Sequence, residues 1–218
     1  FTNLILADEI NRGTPKTQSA LLEAMQEQQV TVEGQSFALD KPFMVIATQN
    51  PLEFEGTYPL PEAQIDRFLA RLSMGYPSPE AECEMLARRQ SRQADTVTIP
   101  PVLSKQEFLE IQRAIETVHV NPDIHSYIVQ IVAKTRADRR VQLGASPRGS
   151  LALFKLSRSR AMMQGRDFVT PDDVKAVAVP ALAHRVILRP ELWAERISGE
   201  TVVHDALEEV PVPRAEWR

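Results

Sequence analysis

The sequence predicts an α/β portion followed by an all-α portion. Up to residue 76, short apolar runs alternate with stretches of helical periodicity, which is typical of strands and helices that take turns along a chain. From Pro77 onward, helical segments dominate. One glycine and two prolines fall within residues 75–79, a composition typical of a break between elements. We therefore expect two domains, 1–76 and 77–218.

Composition narrows the class of protein. The chain has 218 residues, of which 43% are hydrophobic, enough to bury a sizeable core. Its 25 basic and 29 acidic residues exclude a generally basic nucleic-acid coat and an acidic disordered tail. One cysteine excludes an internal disulfide framework, and no apolar run approaches the roughly 20 residues of a membrane span. We expect a cytoplasmic protein.

Local patterns predict each element of 1–76. Thr14 is a good helix cap and Pro15 suits the first helical position, while Gly34 marks a tight turn. In chain order, the patterns predict a strand over 3–7, a helix over 15–28, a hairpin over 30–39, a strand over 43–47, a helix near 61–69 and a strand near 70–74.

The second portion reads as five helices, near 79–92, 105–118, 122–136, 147–164 and 171–183. Two of them have clear starts, because Ser146 and Thr170 are capping residues that each precede a proline. Gly165 is placed to end the fourth helix. The segment after residue 210 contains two prolines and is expected to be extended.

Two adjacent acids, Asp8 and Glu9, follow the first predicted strand. An apolar strand that ends in an acidic pair resembles a Walker B element, in which the first carboxylate holds Mg²⁺ and the second activates the attacking water. The alternative is a strand that ends in a solvated acidic turn. The second predicted strand ends in polar residues through Asn50. If the two strands are parallel neighbours, Asn50 lies beside the acids, although it could instead only begin a turn.

Three strings of the sequence, in this order, resemble the MoxR family of AAA+ ATPases: LILADEINRGTPKTQSALLEAMQEQQVTVEG from residue 4, ATQNP from residue 47 and GTYPLPEAQIDRF from residue 56. The third is the most selective. The likeness extends from about residue 3 to HRVILRP at 184–190. It implies an incomplete P-loop NTPase sheet with a hairpin before the first-sensor strand, followed by a helical lid.

The resemblance also implies roles for the residues at the strand ends. Asp8 would be the metal-associated acid, holding Mg²⁺ directly or through water, and Glu9 would be the catalytic base. Asn50 would be the first nucleotide sensor. The implied activity is Mg²⁺-dependent ATP hydrolysis, used for chaperone-like remodelling or maturation of protein clients.

Three arginines have implied roles at a subunit interface or in the lid. Arg67 would be the arginine finger that reaches a neighbouring subunit's nucleotide, with Arg71 the weaker candidate. Arg148, in the lid, would be the second sensor and contact nucleotide. An ion pair within the chain is the alternative for Arg148. The resemblance further implies a ring, usually a hexamer, that works beside a protein with a von Willebrand factor A domain.

One departure from the family pattern concerns phosphate binding. The family binds triphosphate through an upstream GxxxxGK[ST] loop, and this sequence starts at Phe1 without one. The spacing from Gly144 to Gly149 is a decoy that lacks the lysine; we expect Gly149 to permit close helix packing instead. We therefore expect the chain to begin mid-protein and to be inactive alone. In the family fold the missing upstream strand lies at the centre of the sheet, so we expect 1–76 to pack poorly alone unless another segment fills that place.

Two other functions remain open at this point. The chain could be a truncated binding module that does not hydrolyse ATP. It could also belong to a nucleic-acid-linked ring motor, because residues 134–166 carry nine bases and one acid. Phe154 is the sole aromatic residue in that stripe, so we favour a solvated or intersubunit face over nucleic-acid binding.

Overall fold

The computed structural model describes residues 2–50, 56–192, 195 and 197–214. The first portion contains β1 (Leu4–Ala7), a 3₁₀ helix (Ile10–Arg12), α1 (Pro15–Glu27), β2 (Gln29–Val32), β3 (Gln35–Ala38), β4 (Met44–Ala47) and α2 (Glu62–Ile65). Thr14 caps α1 as predicted, since its side chain accepts a hydrogen bond from the Thr17 amide.

Strands β1 and β4 pair in parallel, with Leu4 opposite Met44 and Ala7 opposite Ala47. This register brings the carboxyl ends of both strands to one edge. Strands β2 and β3 form the predicted antiparallel hairpin, which turns at Glu33 and Gly34, both with positive φ.

One face of the β1–β4 sheet is apolar and exposed. Its side chains are between 47% and 65% exposed, and they belong to Leu4, Leu6, Met44 and Ile46. Over the described part of 2–76, six residues are buried: Ile10, Gln18, Leu22, Ala24, Leu39 and Leu60. Packing in this portion is therefore thin, in line with the expectation from the sequence.

The strand predicted near 70–74 is wrong. Residues 70–78 have no regular structure, and the side chains of Leu72 and Met74 are 77% and 96% exposed. A strand is stabilised by a ladder with a neighbour, and no strand among the described residues pairs with this segment. The preceding helix is also shorter than predicted, because α2 ends at Ile65.

The second portion contains α3 (Pro79–Arg92), α4 (Lys105–Ile115), α5 (Pro122–Ala137), β5 (Val141–Leu143), α6 (Pro147–Met163), α7 (Pro171–Leu182), a 3₁₀ helix (Ala183–Arg185), β6 (Ile187–Leu188), a 3₁₀ helix (Pro190–Leu192) and α8 (Gly199–Glu209). The five predicted helices are present. The short β5–β6 pair and α8 were not predicted. None of the described helices is long and apolar enough to cross a membrane.

The core of this portion lies among α5, α6, α7 and α8. Its fully buried side chains include Ile124, Tyr127, Leu153, Leu182 and Val203. A Cβ at Gly149 would lie 2.9 Å from Leu182 Cδ2 and 3.2 Å from Ala145 Cβ, so the predicted close packing is confirmed. Gly165 follows the end of α6 with φ +71°, as a helix-ending glycine should.

Candidate functional site

The two acids lie at the carboxyl edge of the parallel pair, tied to β4 by one hydroxyl. The Glu9 amide donates to Thr48 Oγ1 at 2.8 Å, and that hydroxyl donates to Asp8 Oδ1 at 2.5 Å. Glu9 has a left-handed backbone, with φ 47° and ψ 54°. Such a backbone is uncommon for a residue other than glycine and clusters at functional sites.

The Glu9 carboxylate is held on both oxygens. Asn50 Nδ2 donates to Oε1 at 3.2 Å, and Arg12 Nε lies 3.1 Å from Oε2. The structure thus brings Asn50 beside Glu9, as the parallel register predicts. Thr48 and Arg12 were not singled out in the sequence; β4 ends at Ala47, so strand register could have indicated Thr48. Pro51, which ends the second string, lies outside the described residues.

This edge suits a magnesium ion that is bound mainly through phosphate and water. Asp8 is exposed and Glu9 is partly exposed, while the described residues contain no group of three or more His, Cys, Asp or Glu side chains that could hold a metal ion. Mg²⁺ in nucleotide sites takes one or two carboxylates together with phosphate oxygens and water. The donor set at Asp8 therefore fits a substrate-borne Mg²⁺ better than a protein cage.

Arg67 and its neighbours form what we call the finger loop, residues 66–71. Arg67 is exposed, and its Nη1 donates to Gln26 Oε1 of α1. The preceding residue, Asp66, faces the second portion. Ser146 Oγ donates to it at 3.0 and 2.9 Å, and Arg148 Nη1 and Arg185 Nε lie 3.6 and 3.5 Å from its oxygens.

The rest of the finger loop also contacts the helical portion. Arg185 donates from Nη1 and Nη2 to the Phe68 carbonyl at 3.1 and 2.8 Å, and the Arg71 amide donates to the Pro180 carbonyl at 2.9 Å. Neither Asp66 nor Arg185 was singled out in the sequence. Their only signal there is their position inside the strings that resemble the MoxR family.

Burial shifts the pKa of both side chains that contact the Phe68 carbonyl, those of His184 and Arg185. It lowers the pKa of His184 to about 4, and the nearby Arg185 charge lowers it further. A neutral imidazole can accept a hydrogen bond, and Arg185 Nη1 lies 2.7 Å from His184 Nε2. Burial also lowers the pKa of Arg185, and Arg148 adds to this while Asp66 opposes it. Arg185 remains a guanidinium at neutral pH.

Arg148 lies beside the finger loop. Its guanidinium is half-exposed and pairs with Asp66, and among the described residues no hydrogen bond or ion pair joins it to Asp8 or Glu9. The ion-pair alternative is thus present. At 3.6 Å and half-exposed, the pair is loose, so the same guanidinium remains available to an incoming anion.

The basic stripe of 134–166, all within the described ranges, is largely neutralised inside the chain. Six of its nine bases pair with carboxylates: Lys134 with Glu209, Arg140 with Asp138 and Asp205, Arg148 with Asp66, Arg158 with Glu116, and both Arg160 and Arg166 with Asp173. Apart from Arg148, whose pair with Asp66 is loose, a base that is paired with a carboxylate of the same chain adds little to phosphate binding. The contacts favour a structural role for most of the stripe.

Comparisons with family profiles and with individual proteins both relate this chain to AAA ATPases. The profile of the ATPase family associated with various cellular activities (AAA) matches residues 1–70, and the AAA lid domain matches residues 133–206. The uncharacterized protein YeaC of Bacillus subtilis is 51% identical over 97% of this chain and 66% of its own length. Chaperone MoxR1 of Mycobacterium tuberculosis is 43% identical over 97% of this chain and 58% of its own length.

A solved structure shares the fold over nearly the whole chain. A crystal structure from Cytophaga hutchinsonii, described as that of a candidate ATPase, superposes with a TM-score of 0.91 at 41% identity, covering 98% of this chain and 67% of that one. This chain therefore spans about two thirds or less of the length of the proteins compared here.

Proposed function

Because this chain belongs to the MoxR family of AAA+ ATPases, we propose that it supplies the catalytic acids, the arginine finger and the lid of an ATPase. The observation that carries this proposal is the constellation at the carboxyl edge of β1 and β4. There Thr48 bonds both Asp8 and the Glu9 amide, and Asn50 bonds the Glu9 carboxylate. ATP is the proposed substrate, with Mg²⁺ as the metal.

The side chains divide the work of hydrolysis. Glu9 acts as the base that orients and deprotonates the attacking water, because its carboxylate is held by Asn50 and Arg12 and remains partly exposed. Asn50 fixes that carboxylate and senses the terminal phosphate. Asp8 would hold Mg²⁺, whose chemistry there would be to neutralise charge on the phosphate oxygens.

The finger acts on a neighbouring subunit. Arg67 is exposed, and the described hydrogen bond of its side chain is to Gln26, so the guanidinium can reach out of the chain. Arg71 instead lines a cavity of about 370 Å³ within this chain, together with Pro180 and His184. This favours Arg67 as the finger. Because Arg148 pairs with Asp66, the residue next to Arg67, we propose that both arginines serve the same phosphate.

The whole protein's role is proposed from its relatives. One relative is named a chaperone. We propose that this chain belongs to a protein that uses ATP hydrolysis for chaperone-like remodelling or maturation of protein clients. A finger that acts in trans requires a neighbouring subunit, and we expect the ring, usually a hexamer, that the family resemblance implies. A protein with a von Willebrand factor A domain is the proposed partner, and we propose no role in nucleic-acid binding.

The substitution Glu9→Gln tests the proposal. In the natural full-length protein, we expect the variant to bind ATP as tightly as wild type while its kcat falls about a thousandfold, as for other lost catalytic bases. Glu33→Gln, at the exposed hairpin turn, is the matched control and should leave kcat unchanged. Unchanged hydrolysis in Glu9→Gln would refute the role of Glu9. A wild-type protein that binds no ATP would favour a binding module without hydrolysis.

A further inference from the structure

We propose that Arg185 is a positioning residue that holds the finger Arg67 from the lid, so that the orientation of the lid sets the reach of the finger. This inference rests on the proposed role of Arg67. Arg185 itself touches no substrate in the proposal. It acts through the two residues that flank the finger.

Arg185 contacts the residues immediately before and after the finger Arg67, and we call this pair of contacts the bracket. Its Nε lies 3.5 Å from Asp66 Oδ1, which is an ion pair without a hydrogen bond, and its two terminal nitrogens donate to the Phe68 carbonyl at 3.1 and 2.8 Å. One planar guanidinium thus contacts the residue before Arg67 and the residue after it. A bracket of this kind fixes the backbone from which the finger side chain extends.

The finger loop is attached to the lid more firmly than to the sheet. Lid residues contact the loop at Asp66, Phe68 and Arg71, through side chains and through one backbone hydrogen bond. Within the first portion, Gln26 of α1 accepts from the Arg67 side chain, and the amides of residues 66, 67 and 68 donate to carbonyls of α2, the short helix that the loop continues. Residues 72–78, which follow the loop, have no regular structure. When the lid turns, the loop should turn with it.

The chemistry of the bracket requires an arginine. The Arg185 side chain is 3% exposed, so its charge depends on Asp66 and on the Phe68 carbonyl for compensation. A lysine would keep the charge but could not span both partners, since an ammonium is a point donor and a guanidinium is a planar fork. Arg185→Lys is therefore a specific test of the bracket.

The test uses mixed assemblies of the natural full-length protein. Arg185→Lys should lower kcat at least about tenfold, less than loss of the finger itself, and leave the Kd for ATP unchanged. A subunit with a misplaced finger still has an intact Glu9, whereas Glu9→Gln retains an intact finger. Co-assembling the two impaired variants should raise hydrolysis above that of either variant alone, because an intact finger of one subunit then faces an intact Glu9 of another. Co-assembling Arg185→Lys with Arg67→Ala should not.

Controls separate this inference from a general loss of stability. Arg140→Lys alters another partly buried lid arginine that pairs with Asp138 and Asp205, away from the finger loop, and should retain kcat. Asp66→Asn removes the carboxylate that pairs with Arg185, and it serves as the test variant if Arg185→Lys fails to fold. We expect the same pattern of rescue by Glu9→Gln.

The possible outcomes are distinct. The inference is overturned if Arg185→Lys, or in its place Asp66→Asn, keeps full kcat, or if Glu9→Gln rescues Arg67→Ala but not the bracket variants. Full activity of Arg67→Ala would instead remove the finger assignment, and the inference with it. Full activity of Glu9→Gln would count against the proposed catalytic base alone.

Discussion

At the scale of single residues, the hydroxyl of Thr48 joins both acids of the candidate site. It accepts from the Glu9 amide and donates to Asp8, so it helps to hold the left-handed backbone that presents Glu9. Preorganised groups of this kind contribute to catalysis because they need not rearrange during the reaction.

Thr48→Val removes the hydroxyl and keeps the shape of the side chain. We expect the kcat for ATP of the full-length protein to fall about tenfold to a hundredfold, since the acids lose the hydroxyl that bonds them both. Thr31→Val, which removes a hydroxyl that bonds Glu23 beside the hairpin, is the matched control and should leave kcat near wild type. Equal kcat for Thr48→Val and wild type would show that the anchor is dispensable. Steady-state ATP hydrolysis is the measurement.

The sequence predicts some site residues better than others. Asp8, Glu9 and Asn50 could be placed together because parallel strands end at one edge, whatever the details of packing. Asp66 and Arg185 are 119 residues apart in the sequence and meet only because the lid docks on the finger loop. No local pattern encodes such a meeting, so reasoning from the residues alone could not find the bracket.

At the scale of elements, the start of α7 is fixed by one buried carboxylate. Asp173 is 1% exposed, and it accepts from Arg166 at 2.7 and 2.6 Å and from the Thr170 amide at 2.9 Å. Burial alone would raise the pKa of Asp173. The hydrogen bonds from Arg166 and Thr170 outweigh burial, and the net pKa is lowered.

Asp173→Asn should lower the free energy of unfolding by about 2–3 kcal/mol at pH 7, because partly buried Arg166 loses its counter-charge. Asp172→Asn, at the exposed neighbouring position, is the matched control and should cost little. Because the pKa of Asp173 is lowered by folding, its contribution is present above an unfolded pKa of about 3.9 and is lost as the pH falls further. Urea unfolding at pH 7 and pH 3 measures both effects. A difference in the free energy of unfolding between wild type and Asp173→Asn that is as large at pH 3 as at pH 7 would contradict the prediction.

Helices could be predicted from local signals, whereas strands required partners. Ser146 and Thr170 precede prolines at the starts of α6 and α7, and both starts appear as expected. The segment 70–74 has a strand-like composition but no neighbouring strand among the described residues, so it forms no ladder. Helix α8 was not predicted, although Ser198 is a capping residue at its start and the apolar Val202 and Val203 are buried.

At the scale of the whole molecule, burial is divided unequally between the two portions. The core cluster of the helical portion contains twenty buried residues between Val118 and Val210. The described part of 2–76 contains six buried residues and an exposed apolar sheet face. Apolar burial is the main favourable contribution to folding, so the two portions should differ in their ability to fold alone.

Separate expression of 116–214 and 1–76 tests this difference. We expect 116–214 to unfold in one cooperative thermal transition and 1–76 to show no cooperative transition, because an exposed apolar face favours association over folding. Circular dichroism against temperature, with light scattering to detect aggregates, is the measurement. A sharp, reversible transition for 1–76 would contradict the prediction.

The hydrogen bond between the Arg71 amide and the Pro180 carbonyl has a consequence for how the molecule can change. Pro180 lies in the last turn of α7, where helix carbonyls lack partners within the helix, and the finger loop provides one. Both atoms belong to the backbone, so the bond is indifferent to the side chain at position 71, and only proline there would remove the donor. Substitution at position 71 can therefore alter the charge of the loop while this one hydrogen bond to α7 is kept.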